Sequence, residues 1–257
     1  MIFMLAGTSD ARALALEIQK AGYLILTTVV TENAASEMKQ VGIDVRTGRM
    51  TDKEMADFIR EKGVQVVVDA SHPFAEEASK NAIHAAEQAQ VPYIRYERES
   101  QKFAYEKMTV VSSYEEAAIE AAKKKGVVML TTGSKTLQIF TEKLVALPDV
   151  RLIARMLPRT DNMEKCEQLR LPQKNIVAIQ GPFTKELDKA LYNQYGVTTM
   201  ITKESGKVGS VDEKVEAAKE LGIDIILIER PKMEYGCVYS HFSEVLQALE
   251  EALLLKK

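Results

Sequence analysis

Tryptophan is absent from this chain of 257 residues, and only two cysteines and three histidines are present. The cysteines, Cys166 and Cys237, are far apart in the sequence and form no metal-type pair. The histidines do not form a His-x-x-x-His pair, so we expect no metal ligands in this protein. Two isolated cysteines favour a reduced, cytoplasmic protein.

Long apolar runs are also missing, since no segment approaches the roughly 20 residues that span a bilayer. The N-terminus lacks the basic region and the cleavage site of a signal peptide. The net charge of −3 gives no general attraction to nucleic acid or to anionic membranes. We therefore expect a globular protein, monomeric or a weak homo-oligomer, with no nucleic-acid or membrane partner.

Short β-type runs alternate with amphipathic helical segments along most of the chain. In the first part, strands are predicted near 2–6, 24–30, 43–46, 65–70 and 92–96, and helices near 9–21, 32–40, 51–62 and 74–89. After a polar run at 97–102, strands are predicted near 109–112, 127–131, 150–155, 175–180, 197–201 and 223–228. Helices are predicted near 113–125, 134–143, 161–168, 184–195, 210–221 and 241–255.

This alternation predicts an α/β fold, because strands separated by helices form parallel sheets through right-handed crossovers. The polar run is the best domain boundary, so we expect two Rossmann-like domains, residues 1–97 and 108–257, with mostly parallel sheets. In such sheets ligands bind outside the carboxyl ends of the strands. A cleft between the two domains is the expected place for a small ligand.

The first strand ends in Gly7, Thr8 and Ser9, directly before an Ala-rich helix. Glycine allows close approach of a ligand, and the N–H groups that begin a helix favour an anionic phosphate. The turn has one glycine rather than three, so as a dinucleotide fingerprint it is weak. An ordinary turn, with Ser9 or Asp10 as the N-cap, explains the segment equally well.

Polar residues also follow the fourth predicted strand, in the segment Asp69–Ala75. Pro73 can start the next helix. His72 precedes it and is a poor N-cap, which favours a functional role: donating a hydrogen bond or a proton, or contacting a carboxylate. The alternative is that Ser71 or His72 caps the helix.

Three strand ends in the second half carry charge or hydroxyl groups. Thr132, Gly133, Ser134 and Lys135 repeat the arrangement of the opening turn and suit an anion, or a capped helix with a surface lysine. Arg151, Arg155 and Arg159 surround another strand and point to an acidic ligand. Lys203, Glu204 and Ser205 end a third strand, where charge is otherwise simply solvated.

With these segments in order, the chain resembles the precorrin-6A reductase (cobalt-precorrin-6A reductase) family of cobalamin biosynthesis. The resemblance rests on segments 7–12, 69–75, 91–98, 132–135, 180–183, 202–206 and 229–231. It implies an oxidoreductase that reduces one double bond of precorrin-6A, or of its cobalt complex, to the 6B form. The implied hydride donor is NADPH or NADH, and the implied partner is a tetrapyrrole rich in carboxylates.

The expected site residues fall into three groups. His72, Lys203 and Glu204 are expected to be catalytic. The cofactor is expected to contact Gly7, Thr8, Ser9, Arg12, Glu32, Ser71, Gly133, Ser134 and Lys135. The substrate is expected to contact Arg49, Arg155, Gln180, Ser205 and Arg230.

Glu32 bears on the choice of cofactor. An acidic residue after the second strand can bond the ribose 2′-hydroxyl and repel a 2′-phosphate, which favours NADH. Acidic residues also suit the start of a helix, so Glu32 has a purely structural explanation too. A non-catalytic α/β regulatory protein that binds a nucleotide or a sugar phosphate is the alternative function. A short-chain-type reductase is disfavoured, because no Tyr-x-x-x-Lys pair stands in the appropriate place.

Overall fold

A computed structural model of the chain describes residues 1–206 and 211–254. In chain order the first elements are β1 (Ile2–Leu5), α1 (Ser9–Lys20), β2 (Ile25–Val29), α2 (Glu32–Gln40), β3 (Asp44–Thr47), α3 (Asp52–Glu61), β4 (Val66–Asp69), α4 (Glu76–Ala89) and β5 (Tyr93–Tyr96). They are followed by β6 (Met108–Val111), α5 (Tyr114–Lys124), β7 (Gly126–Leu130), α6 (Leu137–Leu144), β8 (Val150–Met156), α7 (Thr160–Gln168), β9 (Ile176–Ala178), α8 (Lys185–Tyr195), β10 (Thr199–Lys203), α9 (Val211–Glu220) and β11 (Asp224–Ile228). The chain closes with β12 (Val238–Tyr239) and α10 (Phe242–Leu254). Within the described ranges, no helix is long and apolar enough to cross a membrane.

The first compact unit contains Met1–Glu99 and the segment from Pro231 onward. Its six-stranded sheet has the order β12-β5-β4-β1-β2-β3, and every paired strand is parallel. α1, α2 and α10 pack on one face of the sheet, where Leu14, Met38 and Leu249 are buried. α3 and α4 cover the other face through residues such as Ile59 and Ala82. Burial on both faces explains the continuous apolar sequence of the strands.

The second compact unit is the contiguous range Ser100–Arg230. Its six-stranded sheet has the order β6-β11-β10-β7-β8-β9 and is also parallel throughout its pairs. Met129, Ile153 and Met200 face α8 and α9, where they pack against Tyr192 and Val215. These two parallel sheets confirm the predicted α/β fold class.

The C-terminal segment departs from the predicted division of the chain, which assigned 108–257 to the second domain. β12 pairs with β5, and Val245 and Leu249 of α10 are buried in the core of the first unit. The apolar stripe of this helix was evident from its periodicity, but periodicity carries no information about which sheet the stripe covers. The predicted cleft between the domains stays a prediction.

Two helices begin later than predicted. α4 begins at Glu76 rather than at 74, and α6 begins at Leu137 rather than at 134. In both cases the intervening residues form a loop at the carboxyl edge of a sheet instead of a first helical turn. Of the predicted helices near 210–221 and 241–255, residues 210 and 255 lie outside the described residues.

Replacing Leu249 with alanine tests the assignment of α10 to the first unit. Leu249 is fully buried, so the variant is expected to lose about 3 kcal/mol of unfolding free energy through lost burial and a cavity. Leu254→Ala, at an exposed position of the same helix, is the control and should change stability by less than about 0.5 kcal/mol. Urea denaturation measures both.

Amide hydrogen exchange locates the effect of the Leu249→Ala substitution. Faster exchange is expected in residues 1–99, with 100–230 unchanged, because the core that α10 joins belongs to the first unit. Loss of protection confined to 100–230 contradicts the assignment.

Candidate active site

The turn after β1 lies at the point where the strand order of the first sheet reverses, since β1 stands between β2 and β4. Thr8, rather than Ser9 or Asp10, is the N-cap of α1, and its hydroxyl oxygen accepts the N–H of Ala11 at 3.2 Å. Gly7 has a φ of 132°, a conformation that favours glycine. Gly7 and Ser9 are exposed, and the N–H groups that begin α1 point out of the helix, as an anion site requires.

Acidic charge beside this turn is neutralised within the protein. Asp10 is buried in the first turn of α1 and accepts a hydrogen bond from Nη1 of Arg98 at 3.2 Å. Arg12 forms an ion pair with Glu37 of α2. Because the carboxylate of Asp10 is paired, it repels an anion at the start of the helix less than an unpaired carboxylate would.

At the end of β2, Thr31 caps α2 by accepting the N–H of Ala34 at 3.2 Å. Glu32 begins the helix, in agreement with its structural explanation, and its side chain is exposed. Nearby, Arg46 of β3 donates to the carbonyl of Gly48 at 3.0 Å and to the hydroxyl of Thr28 at 3.4 Å. Contact between Glu32 and a ribose stays a prediction.

A buried ionic cluster lies beneath the loop that follows β4. Asp69 and Arg95 are fully buried neighbours on β4 and β5, and Nη1 of Arg95 stands 3.0 Å from Oδ1 of Asp69. Glu97 accepts from Nε and Nη2 of Arg95 at 3.1 and 2.8 Å. The phenol of Tyr93 donates to Oδ2 of Asp69 at 2.8 Å, and the ring of Tyr235 lies 4.7 Å from the Arg95 guanidinium.

Burial opposes the ionisation of Asp69, but the charge of Arg95 and hydrogen bonds from Ser71 and Ser79 outweigh it and hold the pKa of Asp69 below its ordinary value. Burial, together with the Asp69 carboxylate, raises the pKa of Tyr93. The cluster therefore contains an ionised aspartate and a neutral tyrosine at physiological pH.

The same cluster sets the course of the loop that carries His72. The N–H of Ser71 donates to Asp69 at 2.9 Å, and the hydroxyl of Ser71 accepts from Arg95 at 3.2 Å. Beyond it, Nδ1 of His72 accepts the N–H of Phe74 at 3.2 Å, and the His72 carbonyl accepts the N–H of Ala75 at 2.7 Å. Accepting at Nδ1 places the proton of a neutral His72 ring on Nε2.

In the second unit, the loop after β7 leads into α6, and Ser134 in this loop does not cap the helix. The Ser134 hydroxyl donates instead to Asn162 of α7, and Thr136 occupies the N-cap position without a side-chain hydrogen bond. Gly133 has a φ of 80°, and Lys135 is exposed. Within the described residues no side-chain hydrogen bond therefore caps α6, and Lys135 is a surface lysine as the alternative expected, while anion binding by the loop stays a prediction.

Lys203 ends β10, which neighbours β7 where the second sheet reverses its order. Burial, together with the positive charge of Lys135, lowers the pKa of Lys203 to about 8. Lys203 therefore remains mostly protonated at neutral pH and loses its charge within a slightly alkaline range.

Glu204, by contrast, is occupied by partners inside the second unit. Its carboxylate forms an ion pair with Arg230 and accepts the N–H groups of Gln101 and Gly206 at 3.1 and 2.9 Å. The hydroxyl of Ser100 donates to it at 3.3 Å. One buried carboxylate thus joins the residues where the chain enters and leaves this unit, which suits a positioning role for Glu204 and Arg230.

The remaining predicted substrate residues lie in different settings. Arg155 of β8 is buried, forms an ion pair with Asp188 of α8 and lies 4.3 Å from the centre of the Phe183 ring. Gln180 is exposed and Ser205 is buried, both at the carboxyl edge of the second sheet. Arg49 is exposed in the first unit, after β3, whereas Arg155 belongs to the second, and contact of Arg49 with the substrate stays a prediction.

The buried Asp69–Arg95 pair was not identified as functional from the sequence. Its signal is a charged residue inside an otherwise apolar strand, as in Val66–Asp69 and Tyr93–Tyr96. Charged side chains are almost never fully buried unless they are paired. An arginine in one such strand and an aspartate at the end of another is therefore a usable pairing signal.

Comparisons with known proteins identify the family of this chain. A family model described as Precorrin-6x reductase CbiJ/CobK matches residues 1–250. The chain belongs to this family. It is 71% identical to the cobalt-precorrin-6A reductase of Priestia megaterium over 249 residues, which cover 97% of this chain and 98% of that protein. The precorrin-6A reductase of Rhodobacter capsulatus is 28% identical and matches 90% of this chain and 88% of its own length.

A solved structure described as CobK precorrin-6A reductase superposes with a TM-score of 0.80 at 25% identity, and it covers 98% of this chain and 96% of its own. The likeness extends over both compact units. The resemblance that the sequence motifs suggested is therefore confirmed.

Replacing Asp69 with asparagine tests the ionic cluster. Because it breaks a buried pair, the variant is expected to lose about 3 kcal/mol of unfolding free energy at pH 7. The folded-state pKa of Asp69 lies below the unfolded value of about 3.9, so its contribution is present above that value and is lost as pH falls through the folded pKa. The difference from the wild type should therefore shrink in acid.

Urea denaturation between pH 7 and pH 2.5 measures this difference. Asp57→Asn is the matched control, because Asp57 forms an exposed pair with Arg60 on α3 and should cost less than about 1 kcal/mol. A stability difference for Asp69→Asn that stays constant over the whole pH range contradicts an ionised, stabilising Asp69.

Proposed function

We propose that this protein reduces cobalt-precorrin-6A to its 6B form with NADH. NADH would supply the hydride for one atom of a substrate double bond and would leave as NAD⁺, while a side chain or water would supply the proton for the neighbouring atom. The observation that carries the proposal is the exposed Gly7–Ser9 turn at the reversal of a parallel sheet, in a chain 71% identical to a cobalt-precorrin-6A reductase. The same relationship supports a role in cobalamin biosynthesis, and we propose that this role is cytoplasmic.

The first unit would hold the cofactor. The exposed N–H groups at the start of α1, with Thr8 and Ser9, fit the pyrophosphate, because their partial positive charge faces solvent and Asp10 is neutralised by Arg98. When bound, the nicotinamide supplies the hydride. The protein contributes orientation: Asp69 fixes Ser71 and with it the loop of His72, beside the β1 turn.

The second unit would bind the substrate. Lys203 and Lys135 place positive charge at the carboxyl edge of its sheet, and the substrate is a polycarboxylate. Gly133, Ser134 and Lys135, which the sequence predicted as cofactor contacts, lie at the same edge, and in this proposal they contact the substrate instead. Glu204 and Arg230 act in this proposal as positioning residues that hold Ser205 and the end of β10, rather than as groups that touch the substrate.

Two side chains are suited to deliver the proton. Lys203 holds a proton at neutral pH and releases it readily, because its pKa is about 8. His72 in its neutral form carries a proton on Nε2, because its Nδ1 accepts from Phe74. Lys203 also suits a simpler task, pairing with a substrate carboxylate, and kinetics separates the two roles.

Anaerobic oxidation of NADH in the presence of cobalt-precorrin-6A tests the function directly. The wild type is expected to consume NADH only with substrate present. Ser9→Glu should weaken cofactor binding by adding like charge and bulk at the phosphate turn, whereas Ser36→Glu, at an exposed position of α2, should behave as the wild type. Binding of a nucleotide without any substrate-dependent turnover supports the non-catalytic alternative.

Glu32 predicts the choice between nicotinamides. Its exposed carboxylate at the end of β2 repels a 2′-phosphate, so KM is expected to be at least about tenfold lower for NADH than for NADPH. Glu32→Gln should narrow this ratio chiefly by lowering KM for NADPH. A lower KM for NADPH in the wild type, or a ratio untouched by the substitution, contradicts the role of Glu32.

Lys203→Met and His72→Ala separate proton donation from substrate binding. Loss of the proton donor lowers kcat at saturating substrate, and loss of a carboxylate partner raises KM. In the wild type, KM for the tetrapyrrole substrate should rise above pH 8, where Lys203 loses its charge. In Lys203→Met this pH-dependent rise in KM should be smaller. Lys123→Met, at an exposed ion pair on α5, is the control. Unchanged kcat and KM in both test variants contradict the site.

A further inference from the structure

A second buried lysine lies in the substrate-binding unit, on the helix that follows Lys203. Lys214 is the fourth residue of α9, and only 9% of its surface is exposed. Burial, followed by the charges of Arg155 and Lys203, lowers the pKa of Lys214 to about 8, against opposing effects of Asp188 and Glu213. Long side chains on a helix lean toward its N-terminus. α9 begins at the carboxyl edge of the sheet, so the Lys214 stem leans toward the edge where Lys203 lies.

Strand parity places two further polar groups on the same face as Lys214. Met200 packs with Val215 of α9 on the face that α8 and α9 cover. Thr202 lies two residues further along β10 and therefore faces the same way. Arg155 shares this face with Ile153, and its partner Asp188 comes from α8. The hydroxyl of Tyr192 donates to the Lys214 carbonyl at 3.4 Å, which fixes α9 against α8.

The polar groups on this face are incompletely satisfied. Thr202 is 1% exposed and Asp188 is fully buried, and in the part of the chain that the structure describes neither Oγ1 of Thr202 nor Oδ2 of Asp188 has a hydrogen-bond partner. The charges that act on Lys214 come from two cations, Arg155 and Lys203, and two carboxylates, Asp188 and Glu213, and Arg155 already engages Asp188. With Lys214 itself, three cations therefore stand against two carboxylates. Buried cations and buried hydroxyls normally have hydrogen-bonding or charged partners. The groups on this face are therefore suited to bind one anion that also accepts a hydrogen bond.

We propose that Lys214 and Thr202 form a recognition point for one carboxylate side chain of the tetrapyrrole. The Lys214 ammonium supplies the charge, the Thr202 hydroxyl donates a hydrogen bond, and the Arg155–Asp188 pair forms a fixed wall beside them. A carboxylate fits because it brings a single negative charge and several acceptor positions. The identity of the ligand rests on the proposed function, whereas the anion site is a property of the second unit itself.

Binding of uroporphyrin III, a stable tetrapyrrole with eight carboxylates, tests this proposal on the full chain without turnover. Fluorescence titration is expected to give a Kd about tenfold weaker for Lys214→Met, because a charge-assisted hydrogen bond is lost. Thr202→Val, which removes only the hydroxyl, should weaken binding about threefold. Lys219→Met is the matched control on the same helix, since Lys219 pairs with Glu216 at 2.8 Å, and it should leave the Kd within twofold.

Titration with NADH in the same variants distinguishes a substrate site from a cofactor site. NADH affinity is expected to stay unchanged in Lys214→Met and Thr202→Val. An unchanged uroporphyrin Kd in a folded Lys214→Met variant overturns the proposal, and so does an equal loss of NADH affinity. If Lys214→Met fails to fold, an unchanged Kd in Thr202→Val overturns it alone.

These outcomes are separable from those of the proposed function. Uroporphyrin binding that depends on Lys214, in a protein that never turns over cobalt-precorrin-6A, leaves the anion site standing and removes the function. Substrate-dependent NADH oxidation that is unchanged in Lys214→Met supports the proposed function and overturns the anion site.

Discussion

The buried pair of Asp69 and Arg95 is the interaction on which the first unit depends. Neither charge is tolerable alone in a sheet covered on both faces, since the effective penalty is several kcal/mol per ion. Arg95 is therefore held by two carboxylates and a serine, and Asp69 by an arginine, a tyrosine and a backbone N–H. The buried pair also fixes the loop that carries His72, because the N–H that donates to Asp69 belongs to Ser71 in that loop.

Charge is distributed differently in the second unit. Arg155 has Asp188 and Arg230 has Glu204, but Lys203 and Lys214 lie where burial and neighbouring cations act against their charge. The first unit thus compensates its buried charges internally and presents backbone N–H groups, which suits a cofactor that is bound and released. The lysines of the second unit keep their charge against burial and neighbouring cations, which supports the proposal that this unit binds a ligand rich in carboxylates.

Sequence patterns predicted most of the fold and only part of the site. Alternating strands and helices encode a parallel sheet directly, because a strand such as Ile2–Leu5 is apolar along its length and the helices have one apolar face. Local patterns do not reveal partners. The sequence showed the apolar stripe of α10 but not which sheet the stripe covers. It showed a charge at Glu204 but not that this charge forms an ion pair with Arg230. The residues at which α4 and α6 begin also depend on tertiary hydrogen bonds made by the preceding loops. Helix propensities contain no information about such bonds.

The order in which the two units can be completed follows from the path of the chain. The second unit is one contiguous stretch, Ser100–Arg230. The first unit also needs β12 and α10, which follow the second unit in the sequence. During synthesis, α1 and α2 can cover their part of this face early, but the part that buries Val245 and Leu249 stays uncovered until α10 leaves the ribosome. Chains are made from the N-terminus and domains fold as units. The unit encoded second is therefore the one that can finish first, and the nascent first sheet is the part most in need of protection from aggregation.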